Sequence, residues 1–182
     1  MNFIHTEIPD LILIEPKVHE DARGFFMETF RSGVFAEQGI PQPFVQENHS
    51  GSRRGTLRGL HYQIRKPQGK LIRAATGEIY DVSVDLRRSS AYFGRWVGVT
   101  LSGVNKRLLW VPPGFAHGFY VLGEWAEVTY KTTDYYAAEW ERTLLWNDPA
   151  LGITWPLQDN DAPLLSDKDA KGKPLSEAEV FA

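Results

Sequence analysis

The chain has 182 residues, 42% of them hydrophobic and 24% charged, with a formal net charge of −3, which is enough for one domain with a core that folds without staples. The mild acidity excludes a general nucleic-acid binder, which carries a strongly basic domain or stripe, and the lack of cysteine removes disulfides, thiolate metal sites and a cysteine nucleophile. No run approaches the ~20 apolar residues of a membrane span, and the start, MNFIHTEIPD, has no basic or long apolar stretch, so a cytoplasmic protein with no membrane partner is expected.

Taken in chain order, LILIEP and RGFFMETF read as strands. A short helix follows at Ser32–Gln38, with Ser32 as its cap and Gly39 as its stop. TLRGLHYQI, GKLIRAAT, EIYDVSVDL, RWVGVTLS, KRLLWVPP, HGFYVL and AEVTYKTT then read as further strands. In EIYDVSVDL, Tyr80, Val82, Val84 and Leu86 share one face while Ile79, Asp81, Ser83 and Asp85 share the other, which marks a strand with one apolar side and puts Asp81 outward. Strands at this spacing, broken by Gly and Pro, predict an all-β sandwich or jelly roll rather than a βαβ fold. From about Trp140 the chain is turn-rich and reads as a packed tail with a little helix, ending in a mobile acidic segment from about residue 170. No linker or repeat divides the chain, so residues 1–182 are expected to form a single domain.

Positive charge is concentrated in one stretch, with no Asp or Glu between Arg53 and Arg73. His61 lies in its middle. Strict alternation puts Arg58 on the face of Leu60 and Tyr62, and His61 with Gln63 on the other. A lone strand histidine is more often structural than catalytic. Fixed cations nearby, however, push an imidazole's pKa down and keep it available as a base. Arg53, Arg54, Arg65 and Lys66 suit a solvated rim; Lys70, at the start of an apolar strand, does not.

The spacing Pro112-x-Gly114-x-x-His117 resembles the second motif of cupins, small jelly-roll barrels in which such a histidine is often a metal ligand. The first cupin motif supplies His-x-His, and here His61-x-Gln63 stands in its place, so one imidazole is missing. A trio of His61, His117 and a carboxylate is the remaining metal reading; a hydrogen-bonding wall residue is the other reading of His117. Tyr130 is either aromatic core or a pocket acid. Tyr136, near Glu141, offers a flat surface to a nucleobase. Ser166 of LLSDKD reads as a helix cap or part of a solvated turn.

These segments in this order resemble the dTDP-4-dehydrorhamnose 3,5-epimerase family, from DARGFFMETF through FVQENHS, LRGLHYQ, GKLIRAATGEIYDVSVDLR, WVPPGFAHGFYVL and YKTTDYY to LLWNDPALGITWP and LSDKD. The resemblance implies a cupin-type jelly roll, a homodimer, and no metal or organic cofactor. It implies epimerisation of dTDP-4-dehydro-6-deoxy-α-D-glucose at C3 and C5 to dTDP-4-dehydro-β-L-rhamnose, toward dTDP-L-rhamnose. It makes His61 the base, Tyr130 the acid, Asp169 the carboxylate paired with His61, and Lys70 the cation at the substrate's ketone. Arg23, Glu28, Gln46, Glu47, Asn48, Arg58, His117, Glu141 and Lys168 match substrate-binding positions, and Tyr136 matches the residue that stacks on thymine. Glu47 stands where relatives carry Asp, a change that a backbone contact tolerates. A single-centre 3- or 5-epimerase on a related dTDP-sugar, a metal-dependent cupin and a sugar-binding cupin without chemistry are the alternatives.

Overall fold

The computed structural model describes residues 1–40, 43–157 and 162–182. The first half of the chain forms β1 (Asn2–His5), β2 (Ile12–Glu15), β3 (Val18–Asp21), β4 (Gly24–Met27), β5 (Gln46–Arg53), β6 (Leu57–Gln63) and β7 (Lys70–Thr76). The second half adds β8 (Glu78–Asp85), β9 (Trp96–Ser102), β10 (Leu108–Val111), β11 (Phe115–Val121), β12 (Trp125–Thr132) and β13 (Glu141–Thr143). Helices are short: α1 (Ser32–Glu37), a 3-10 turn at Ala138–Trp140, and α2 (Asp167–Ala170).

Two antiparallel sheets face each other. One runs β1-β2-β10-β7-β12-β5 and the other β13-β6-β11-β8-β9, while among the described residues β3 and β4 pair only with one another. Apolar side chains from both sheets, among them Ile72, Val128, Ile79, Leu101 and Phe119, meet between them. A second cluster covers the outer face of the five-stranded sheet, where Val82, Val84 and Leu86 meet Leu151, Trp155 and Phe181 of the tail. A third packs α1, through Phe35, onto the outer face of the six-stranded sheet. This is the all-β sandwich expected from the strand spacing, with the cupin-like form that the family resemblance implies.

Three expectations about the strands and α1 are corrected. Asp81 does not face outward: it is 0% exposed, as are Ser83 and Asp85, because β8 packs the tail on one face and the barrel interior on the other. Ser32 does not cap α1; it is the first helical residue, and Arg31 sits extended at the cap without a side-chain bond. Gly39 does end the helix, at φ +72°, a left-handed conformation that glycine adopts without strain. Arg58 does not share the face of Leu60. Along β11 the step from His117 to Phe119 is matched on β6 by the longer step from His61 to Arg58, a bulge that places an extra residue in β6. The extra residue turns Arg58 to the side of His61. Glycines make the bulge possible: a Cβ on Gly59 (φ +127°) would lie 2.6 Å from Gly118 Cα, and one on Gly118 would lie 2.5 Å from the Arg58 carbonyl.

The chain beyond residue 170, expected as a mobile acidic segment, forms bridges Leu144↔Lys173 and Arg87↔Phe181. The Tyr62 hydroxyl also donates to the Glu179 carbonyl at 2.6 Å. Residues 158–161 of the expected turn-rich tail lie outside the described residues.

Candidate active site

One end of the barrel opens into a cavity of about 620 Å³. His61 enters it from β6. Its Nε2 is 2.5 Å from Asp169 Oδ1, a contact spanning 108 residues of sequence. Asp169 is buried on α2, and burial pushes its carboxyl up, yet hydrogen bonds from His61 and Ser166 hold it below the usual carboxylate range. An ionised carboxylate only accepts, so Nε2 carries the proton and Nδ1 keeps the lone pair. Burial lowers the pKa of His61, Asp169 opposes the shift, and the Lys168 and Lys70 charges add to it. The imidazole is therefore held in one tautomer and is neutral near pH 7, which is the state of a general base.

Asp169 owes its placement to a tight local turn. Ser166 caps α2, accepting from the Asp169 amide at 3.2 Å and donating its own hydroxyl to Asp169 Oδ2 at 2.7 Å. The Gly59 amide, at 3.4 Å, donates to Oδ1. The bulge thus serves both members of the pair.

Lys70 begins β7 at the cavity wall and donates from Nζ to the His61 carbonyl at 3.3 Å. Burial pulls its pKa down to about 8 against the opposing charges of Asp81 and Glu141. Asp81 Oδ2 bonds His117 Nε2 at 2.8 Å, inside the barrel, and Asp81 Oδ1 has no hydrogen-bond partner among the described residues. His117 lies across the ladder from His61 and lines the same cavity. Each imidazole is engaged with its own carboxylate, and among the described residues no group of three or more His, Cys, Asp or Glu is arranged to hold a metal ion.

Tyr130 enters from β12, in the other sheet, and its hydroxyl meets the side chain of Asn48 on β5. Burial and the charge of Glu141 raise its pKa, with Arg58 opposing, so the phenol keeps its proton at neutral pH. His61 and Tyr130 thus face the cavity from opposite sheets.

The rim is a polar chain. Glu141 accepts from the Tyr136 hydroxyl at 2.9 Å and from Lys168 Nζ at 2.8 Å. Gln46 donates to Asn48 Oδ1 at 3.0 Å and accepts from the Tyr136 amide at 3.0 Å. Arg58 is anchored by its Nε on Ser52 Oγ at 2.9 Å.

Three residues matched to the family's binding positions lie outside the cavity of their own chain. Arg23 pairs with Asp21 at 2.6 Å in the β3–β4 hairpin, Glu28 with Arg31 at 2.6 Å, and Glu47 with Lys131 at 2.8 Å. Glu47 points away because β5 alternates: Gln46, Asn48 and Ser50 line the cavity and Glu47 lies between them on the outer face. The bond between Asp81 and His117 was not foreseen from the sequence. Its available signal was a carboxylate sharing a strand face with the apolar Ile79.

Comparison with known proteins matches this arrangement to an enzyme family. The family model described as dTDP-4-dehydrorhamnose 3,5-epimerase matches residues 5–177. The chain is 61% identical over 182 residues to the dTDP-4-dehydrorhamnose 3,5-epimerase of Pseudomonas aeruginosa, covering 100% of this chain and 99% of that one. It is 55% identical to the Shigella flexneri protein of the same name, again covering 100% and 99%. A crystal structure of a dTDP-6-deoxy-D-glucose-3,5-epimerase from Legionella pneumophila, in complex with dTDP-4-keto-L-rhamnose, superposes with a TM-score of 0.95 at 51% identity, over 98% of this chain and 94% of that one. With fold, length and sequence all in agreement, this chain belongs to the dTDP-4-dehydrorhamnose 3,5-epimerase family.

Proposed function

We propose that one imidazole, one ammonium and one phenol divide a double epimerisation between them. The enzyme inverts C3 and C5 of dTDP-4-dehydro-6-deoxy-α-D-glucose to give dTDP-4-dehydro-β-L-rhamnose, in dTDP-L-rhamnose biosynthesis. Both carbons adjoin the C4 ketone, so removing either proton builds an enolate with its charge on O4. His61 Nδ1 takes the proton, and Asp169 steadies the imidazolium that results. Lys70 stands at O4, where a fixed cation stabilises the transition state more than the ground state. Inversion needs a proton returned from the far face, and Tyr130 supplies it.

Arg58 and Lys168 balance the diphosphate, Arg58 with forked hydrogen bonds. Gln46, Asn48, His117 and Glu141 hold the sugar, and the thymine stacks on Tyr136. The observation that supports this assignment best is a neutral base and a protonated phenol entering one cavity from opposite sheets. The test is proton NMR of the dTDP-ketosugar with enzyme in D2O. Deuterium should enter at both C3 and C5 with inversion at each, and His61→Ala should abolish exchange at both. Exchange at either carbon at the parent rate in His61→Ala would give the base role to another group.

The working unit is a homodimer. The β3–β4 hairpin pairs with neither sheet of its own chain and leaves Phe25 57% and Phe26 72% exposed. It also holds Arg23 away from its own cavity. Docked on a second copy, the hairpin would bury its two phenylalanines and bring Arg23, with Glu28 just beyond β4, to the partner's diphosphate site.

A further inference from the structure

Gln63 ends β6 two residues past His61 and is only 3% exposed. It stands where the cupin motif would carry a second metal-ligating imidazole, and no step of the epimerisation uses it. Its amide is engaged in another task. Nε2 donates to the Lys66 carbonyl at 2.8 Å and to the Tyr135 carbonyl at 3.3 Å. Oε1 accepts from the Ala137 amide at 2.8 Å. One side chain therefore grips the backbone on both sides of Tyr136, much as a neighbouring strand would. Gln46 accepts the amide proton of Tyr136 itself. The backbone is pinned at three successive residues while Tyr136 itself stays 53% exposed and lines the cavity.

We propose that Gln63 is the positioning residue of the nucleobase platform, its amide clamping the backbone around Tyr136 so that the ring is set for a thymine to stack on. The proposal rests on Tyr136 being the thymine-stacking residue. Gln is suited to the task because it joins two donors and an acceptor in one planar group. Glu at neutral pH only accepts, and Met fills the same length with neither capability. A ring set in advance loses less freedom when the base arrives, which favours binding. The base lies far from C3 and C5 and is held alike in ground and transition states, so the clamp acts on affinity and not on the chemical step.

The test is a double-mutant cycle read by calorimetric titration with dTDP and by steady-state kinetics. Gln63→Met should raise the Kd for dTDP about tenfold, within the range that stacking contributes, and kcat/KM should fall by the same factor through KM. In the Tyr136→Ala background the same substitution should change Kd by less than about twofold, because the two residues act as one. Gln63→Glu keeps only the bond to Ala137 and should lie between parent and Gln63→Met; if Gln63→Met does not fold, this variant carries the same cycle. A fall in kcat with dTDP affinity intact would overturn the proposal, as would an equal loss of affinity with and without the Tyr136 ring. If Tyr136→Ala alone leaves dTDP affinity unchanged, the thymine-stacking role of Tyr136 fails first and the clamp with it.

Discussion

Lys70 keeps its charge close to the limit of the range in which the reaction must run. With its pKa drawn down to about 8 by burial, the amine is protonated below that pH and neutral above it, and only the ammonium can meet an enolate oxygen. The rate should therefore fall as pH rises through about 8. It should also fall at low pH, where His61 becomes protonated and ceases to be a base. The opposing charges that keep Lys70 protonated come from β8 and β13, as Asp81 and Glu141, while Lys168 of α2 works against them. Asp81→Asn removes the larger support, so the alkaline limb of kcat/KM should move to lower pH; a limb that stays in place would take Asp81 out of the circuit. Lys70→Ala should cost about 10²–10³-fold in kcat, as an oxyanion-hole donor does. Tyr130→Phe separates removal of a proton from its return. Exchange of deuterium should persist, because His61 can return a proton to the face it came from, while inversion falls by about 10²–10⁴-fold, most at C5. NMR in D2O follows both in one sample, and inversion of C5 at the parent rate would make Tyr130 a wall residue.

At the scale of elements, legibility followed hydrophobic contrast. The strands of the apolar interior, such as β7, β8 and β12, could be read from their apolar runs, β8 also from its alternation. β5 could not, because QENHSGSR is polar on both faces: one lines the cavity and the other faces outward. β13 exists only through its pairing with β6, a tertiary fact with no local pattern. The position of Arg58 was misread because one extra residue in β6 reverses every later side of the alternation, and glycines alone signal such a bulge. Asp169 offers no spacing cue to its partner 108 residues earlier, and only resemblance joined the two. Its place depends on the one-turn helix α2, which makes Ser166 testable. Ser166→Ala removes both the cap and the hydroxyl on Asp169 Oδ2. We expect kcat to drop about tenfold, of the order of one cap's free energy. The acid limb should move to lower pH, since a less well-held Asp169 supports the imidazolium less. Ser166→Thr, which keeps the hydroxyl, should restore both. An unmoved acid limb in Ser166→Ala would reduce the serine to a local cap.

At the scale of the whole molecule, the cavity of one chain holds the base, the acid and the ammonium, but not the arginine of the β3–β4 hairpin. The proposed dimer resolves this by exchange: each hairpin serves the other copy's cavity. A two-fold interface is self-complementary, so whatever one copy lends it also borrows. The exchange can be read from mixed dimers. Arg23→Ala lacks the lent residue, His61→Ala lacks the base, and each alone should be nearly inactive as a homodimer. In a mixed dimer, the His61→Ala chain lends an intact Arg23 to the cavity of the Arg23→Ala chain, whose own His61 is intact. Random exchange makes half the dimers mixed, and each carries one complete site of two, so about a quarter of the parent activity should appear on co-refolding. Phe25→Ser/Phe26→Ser should lower activity in parallel with dimer content, followed by sedimentation, because the same hairpin carries the apolar contact and the arginine. If mixing restores nothing while sedimentation shows mixed dimers, Arg23 serves its own chain or none, and the hairpin is an interface element without a part in the site.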